Sequence, residues 1–170
     1  MALHCKTKGT GGTLSQLKCI QINLQRSRIA TANLMKTTDE DNTNIISIQE
    51  PYTLQNKVAG ISKNYKTFTT GEGRSRAAVV VTNNQLDAIL IKQLSDADTV
   101  AVEIINGSLK FILVSTYFDR ENPAELDLVK IEAVMQHAKG AGVLIAMDSN
   151  SRSILWHDTL TQEVGSLKNL

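Results

Sequence analysis

The stretch AMDSNSRSILWHD, residues 146–158, sets Asp148 and Asn150 two positions apart at the end of an aliphatic run. A carboxylate there can orient or deprotonate a water, and a carboxamide can hydrogen-bond to developing negative charge. The same kind of ending recurs along the chain: Asn23 closes KCIQIN, Glu50 closes IISIQE and Tyr117 closes ILVSTY. Taken singly, each has an ordinary explanation, since Asp148 with Asn150 would also make an Asx-turn and Glu50 before Pro51 an exposed strand end. Their joint arrival at strand ends is more informative, because side chains of α/β proteins converge on a crevice outside those ends. As a set they suit phosphodiester hydrolysis. Glu50 would hold a hard cation such as Mg²⁺, which uses only one or two protein carboxylates. Asp148 would orient or deprotonate the attacking water, and Asn23, Tyr117 and Asn150 would hydrogen-bond around the transition state.

Positioning them requires strands. Runs rich in β-branched residues and bounded by Asn, Asp, Gly and Thr predict strands over 18–24, 44–49, 77–81, 88–94, 100–105, 109–117 and 143–147. Asn106-Gly107 tolerates the positive φ angles of a tight turn, so VAVEIINGSLKFILVSTY reads as an antiparallel hairpin. A helix is expected over residues 27 to about 38, with Ala30 and Leu34 on its sheet-facing side and Ile29 and Ala32 beside them. A second should start at Asn122 as N-cap, with Pro123 at the first helical position and Glu125 closing a capping box. It would present Leu128, Ile131, Met135 and Ala138 to the core and stop at Gly140. The order strand, helix, strand, loop, hairpin-linked strands, helix, strand is a mixed α/β layout.

At 170 residues the chain is long enough for one domain with a substantial core, and aromatics are only 4% of it, so aliphatic side chains must fill that core. The net charge of +1 argues against a protein that binds nucleic acid mainly by bulk phosphate neutralisation. A polyanion would need a local patch, for which Arg26 with Arg28 and Arg74 with Arg76 are the candidates. Cys5 and Cys19 have no metal-ligand spacing and fit reduced thiols in an intracellular protein, in the nucleus or cytoplasm. No apolar stretch is long enough for a secretory signal or a membrane span. Residues 1–16, rich in Gly and Thr, read as a disordered leader ahead of a domain over 17–170.

The ordered series QIN, QEPY, STYFD and AMDSNSRSILWHD resembles the endonuclease domain of non-LTR retrotransposons, in the endonuclease/exonuclease/phosphatase superfamily. The likeness is strongest to insect elements with an Asp-x-Asn-x-x-Ser-x-x-Trp stretch, here Asp148, Asn150, Ser153 and Trp156, and extends over about residues 18–168, taking in GEGRSRAAVVV and LSDADTVAVEI. It implies a four-layer α/β sandwich, present in part, with a mixed, mostly antiparallel sheet and flanking helices. It also implies a Mg²⁺-dependent nuclease that nicks target DNA, made in the same polyprotein as a reverse transcriptase. On that resemblance Glu50 is the metal ligand, Asn23 the first-strand asparagine, Tyr117 the tyrosine near the scissile phosphate, and Asp148 with Asn150 the pair that aligns water. Trp156 would pack the loop that carries them.

The family's domain has further strands, another aspartate and a Ser-Asp-His motif, whereas His4, His137 and His157 do not follow a Ser-Asp pair here. The resemblance therefore implies slowed nicking, a second sheet that is only begun, and an uncovered apolar patch. Two other readings fit the residues: a non-catalytic remnant that binds nucleic acid or protein, and a phosphatase of the same superfamily acting on small substrates.

Overall fold

The computed structural model describes residues 2–5, 17–71, 73–119 and 121–150. Two sheets pack face to face with one helix on each outer side. The first sheet has the order β1-β2-β3-β7-β6, with β1 at Ala2–Cys5, β2 at Leu17–Asn23, β3 at Ile45–Gln49, β6 at Lys66–Phe68 and β7 at Ala77–Val81. The second has the order β11-β10-β9-β8, with β8 at Asp87–Leu90, β9 at Thr99–Asn106, β10 at Leu109–Tyr117 and β11 at Gly142–Asp148. A small hairpin pairs β4, Thr53–Leu54, with β5, Lys57–Val58. This is the mixed α/β layout that the strand and helix pattern points to, arranged as the sandwich that the resemblance implies. The second sheet, expected to be only begun, has four strands here, because the β9–β10 hairpin and the crossover to β11 fall within residues 99–148.

Strand alternation explains the core. Leu17 and Cys19 of β2, Ile45 of β3, and Ala77, Val79 and Val81 of β7 face Val100, Val102 and Ile104 of β9 and Phe111 and Leu113 of β10 across the intersheet layer. Period-2 side chains pointing the other way from β3 and β7, namely Ile46, Ile48, Ala78 and Val80, pack under Leu34 of helix α1, Arg28–Asp41. On the far side Ala101, Ile112 and Val114 pack under Val134 and Ala138 of helix α2, Ala124–Ala138. Central strands buried on both faces read as continuous β-branched runs, which is why they are legible in the sequence.

Several local expectations change. The predicted strand over 88–94 ends at Leu90, and Lys92–Leu94 forms a 3₁₀ turn. Helix α1 buries Thr31, Leu34 and Thr38, whereas Ile29 is 75% exposed. The two threonines tolerate burial because their hydroxyls donate back to the Ser27 and Leu34 carbonyls, at 2.8 and 2.7 Å. Ser27 caps α1, accepting from the Ala30 N–H at 3.1 Å. Helix α2 has no side-chain cap. Pro123, at φ −59° and ψ 132°, is still extended, so Asn122 lies one position too early to serve as N-cap. The helix is also rotated from its expected face: Asp127, Val134 and Ala138 are buried, while Leu128 and Met135 are 59% and 54% exposed. Leu126 and Val129 are exposed beside them on the outer side of α2, and among the described residues Ile89 of β8 and Met147 of β11 are exposed as well.

Within the expected leader, residues 2–5 form strand β1 antiparallel to β2; residues 6–16, together with Ser153, Trp156 and His157, lie outside the described residues. Among the described residues no helix is long and apolar enough to cross a membrane.

Candidate active site

The inner faces change character along their length. β2 runs from Leu17 and Cys19 to Gln21 and Asn23; β3 runs from Ile45 to Ser47 and Gln49; β10 runs from Phe111 and Leu113 to Ser115 and Tyr117. The parallel pairings of β2 with β3 and of β10 with β11 bring these polar ends out on the same side of the molecule. Asn23 is the register partner of Gln49, and Tyr117 that of Asp148. An open cleft of about 380 Å³ lies there, lined by Gln21, Ile22, Asn23, Gln49, Met147 and Asp148. A cleft of about 310 Å³ at the opposite strand ends is lined by Asn44, Thr82 and their neighbours and gathers none of the candidate site residues.

Asn23 organises the center of the site. Its Oδ1 accepts from the Gln25 N–H at 2.8 Å, which fixes the orientation of the carboxamide. Its Nδ2 then donates to Glu50 Oε2 at 3.3 Å and to Asp148 Oδ2 at 2.5 Å. One amide therefore joins carboxylates contributed by the two different sheets.

Glu50 is held in the left-handed region at φ +46°, uncommon for a residue with a side chain. Its neighbours determine this. The Glu50 N–H donates to the Arg76 carbonyl, and its own carbonyl accepts from the Arg26 N–H, both at 2.8 Å. Gln25 and Arg26 are also left-handed, which brings the loop after β2 across the end of β3. There Arg26 Nη2 lies 3.3 Å from Glu50 Oε1.

Asp148 and Asn150 do form the Asx-turn that their spacing allows, with the Asn150 N–H donating to Asp148 Oδ1 at 3.2 Å. The turn coexists with the Asn23 contact through the other carboxylate oxygen. Asn150 Nδ2 donates to the Phe118 carbonyl at 2.8 Å, tying the segment after β11 to the segment after Tyr117. Asn23, Glu50, Asp148 and Asn150 are thus linked by direct hydrogen bonds or by one intervening residue, and Tyr117 sits beside Asp148 in register.

Beneath these groups lies a polar layer that residue types alone did not single out. Gln49 is fully buried, and its Nε2 donates at 3.1 Å to Ser47 Oγ, Ser115 Oγ and the Ala146 carbonyl. Ser115 Oγ in turn donates to the Ile48 carbonyl, and Gln21 Nε2 reaches the Met147 carbonyl at 2.7 Å. Amides of the first sheet therefore grip the backbone of β11 just ahead of Asp148. The sequence signal was available in the phase: Ser47 and Gln49 share the face of Ile45, so polar groups occupy positions that alternation assigns to the core.

Arg76, considered earlier as part of a phosphate patch, is committed internally. Its Nε and Nη2 donate to the two carboxylate oxygens of Asp98 at 2.5 and 2.8 Å, and Nη1 donates to Asp119. These bonds, that to Asp98 foremost, push the guanidinium still further above the usual arginine range, with burial opposing; the same pairing holds Asp119 below the usual carboxylate range. The Arg76 guanidinium carbon stands 5.4 Å from the ring center of Tyr117. Arg74 is exposed and Arg26 is half-buried.

The donor set fits a hard cation of Mg²⁺ type rather than a zinc cage. Among the described residues no three His, Cys, Asp or Glu side chains gather as a metal-binding group. Mg²⁺ needs no such cluster, since it takes one or two carboxylates and keeps several waters.

No protein-family model matches the chain. A 115 kDa protein of the type-1 retrotransposable element R1DM of Drosophila melanogaster is 24% identical over 151 residues, covering 88% of this chain and 14% of that protein. The solved endonuclease domain of TRAS1, a telomere-specific non-LTR retrotransposon, superposes with a TM-score of 0.69 at 30% identity, over 81% of this chain and 61% of that one. An endonuclease/exonuclease/phosphatase family protein from Leptotrichia buccalis has a TM-score of 0.54 at 14% identity, over 81% of this chain and 68% of that one, a likeness of fold alone. The chain thus spans about three fifths of the TRAS1 domain and a small part of the R1DM protein. In sequence and fold together the chain is similar to the endonuclease domain of a non-LTR retrotransposon.

Proposed function

We propose that the cleft at the polar strand ends hydrolyses a DNA phosphodiester with the help of Mg²⁺, nicking a target strand for the insertion of a mobile element. The observation that carries this reading is the single carboxamide of Asn23 reaching both Glu50 and Asp148, which puts two carboxylates from different sheets within one amide's reach.

Glu50 would hold the cation, with Asn23 keeping its carboxylate oriented. When bound there, the metal would neutralise charge on the phosphoryl oxygens. Asp148, held by Asn23 on one side and by the turn to Asn150 on the other, would accept a proton from a water and direct that water toward phosphorus. Tyr117, on the neighbouring strand, would donate to a phosphate oxygen, and Asn150 would hold the loop that closes that side. Association with a reverse transcriptase in one polyprotein follows from the kinship with retrotransposon proteins and belongs to the same proposal.

The test is conversion of supercoiled plasmid to open circle with Mg²⁺ or with EDTA. We expect Mg²⁺-dependent nicking that falls by about 10²-fold or more in Asp148→Asn, the usual scale for losing a positioned base, and a marked loss in Glu50→Gln, which removes the carboxylate that would hold the cation. Plasmid binding without cleavage by the unmodified chain would replace the enzyme with a DNA-binding remnant. Full activity in both variants would refute the assignment of residues.

A further inference from the structure

One residue outside the proposed set touches both halves of it. Arg76 immediately precedes β7, at the meeting point of the two sheets. Its carbonyl accepts the Glu50 N–H at 2.8 Å, within the strained left-handed turn that aims the Glu50 side chain. Its guanidinium is gripped by Asp98, which precedes β9, and by Asp119, which follows β10, and it lies against the Tyr117 ring. Asp98 also ties in through its backbone, its carbonyl accepting the Tyr117 N–H at 2.9 Å.

We propose that Arg76 is a positioning residue of the active site, setting Glu50 through its backbone and the Tyr117 ring through its clamped side chain. The inference rests on the nuclease reading for its consequence in rate, but its geometric content stands without it. A guanidinium held flat by a bidentate carboxylate and a second acceptor has few rotamers left, so the ring packed against it is confined too. A lysine at this position keeps the charge yet cannot make the fork-shaped contact with Asp98 while also covering the ring. The guanidinium is accordingly unavailable to a DNA phosphate, and the effect of the Arg76 side chain on catalysis runs through Tyr117 rather than through the substrate.

The test combines kinetics with a signal from the ring itself. In protein carrying ¹³C-labelled tyrosine, the Tyr117 ring resonance is identified by its loss in Tyr117→Phe. Arg76→Lys should shift that resonance and leave those of Tyr52 and Tyr65 in place. In Mg²⁺-dependent plasmid nicking, Arg76→Lys should cost about ten- to a hundredfold, the scale of a displacement near 1 Å at a reacting group. In the Tyr117→Phe background the same substitution should cost less than about twofold. An unmoved Tyr117 resonance, or an undiminished Arg76→Lys cost in the Tyr117→Phe background, would overturn the proposal. Absence of nicking by the unmodified chain would instead refute the nuclease reading, with the ring resonance still deciding the present one. Should Arg76→Lys prove too unstable, Asp119→Asn, which releases only one of the guanidinium's partners, takes its place in both measurements.

Discussion

Gln49 offers a sharp test of whether the polar seam between the sheets supports the site. Its side chain is fully buried, and its amide donates to Ser47, Ser115 and the Ala146 carbonyl. Replacing it with leucine keeps most of the volume while removing the two N–H donors that the three acceptors share, together with an Oε1 that has no partner among the described residues, and Ser115 Oγ retains its own bond to the Ile48 carbonyl. A net contribution of about 1 kcal/mol per buried hydrogen bond gives a loss of about 2–3 kcal/mol. Alanine adds a cavity, and the loss should rise to about 4 kcal/mol. For a domain of this size 1 kcal/mol corresponds to about 2–4 °C, so Gln49→Leu should melt about 4–12 °C lower and Gln49→Ala lower still. Differential scanning calorimetry of the three proteins at neutral pH measures this directly. If Gln49→Leu melts within about 1 °C of the parent, hydrophobic contact alone holds the sheets together at this end, and the argument that amides lock β11 in place is refuted.

Two other substitutions probe different physics. Asp127 is buried in the first turn of α2 with Oδ2 lacking a partner among the described residues, and burial raises its pKa. A raised folded pKa penalises the ionised form, fully above that pKa and not at all below the unfolded value near 4, so Asp127→Asn should be more stable than the parent at pH 7. Melting curves at pH 7 and about pH 3.5 should show that gain disappear on acidification; an equal gain at both would exclude ionisation as its source. Gly60, at φ +80°, would place a Cβ 3.0 Å from Thr31 Cγ2, so Gly60→Ala should cost about 1–3 kcal/mol. At Gly73, φ +63° with open space around it, alanine carries only the backbone penalty, and the difference between the two midpoints isolates the contact with α1.

The main strands were readable because β3, β7, β9 and β10 are buried on both faces and must be built from β-branched residues. The strand-end polar residues were readable as a set for a related reason: a polar side chain closing an aliphatic run has to emerge somewhere, and parallel pairing of β10 with β11 sends Tyr117 and Asp148 out together. What escaped was of two kinds. Short strands leave too few residues for alternation to show: β4 and β5 are two residues each and pair only with one another, and the three-residue β6 follows β7 rather than its own composition. The α2 face was misjudged because the pattern of large apolar residues and the face that meets the sheet differ, Asp127 being drawn inward while Leu128 turns out. Arg76 looked like a surface cation because its partners, Asp98 and Asp119, lie 22 and 43 residues further along the chain.

The Asn106-Gly107 turn joins β9 to β10 at the start of β10, whereas Tyr117 closes it. Nine residues at about 3.3 Å each separate the turn from the cleft by roughly 30 Å. Gly107 adopts φ +59° and has nothing within 4 Å of where a Cβ would be, so the tip is unencumbered. That makes it a natural handle: a fluorophore, an affinity tag or new chain termini can be grafted there, and the protein immobilised on a surface, with the cleft left facing solution.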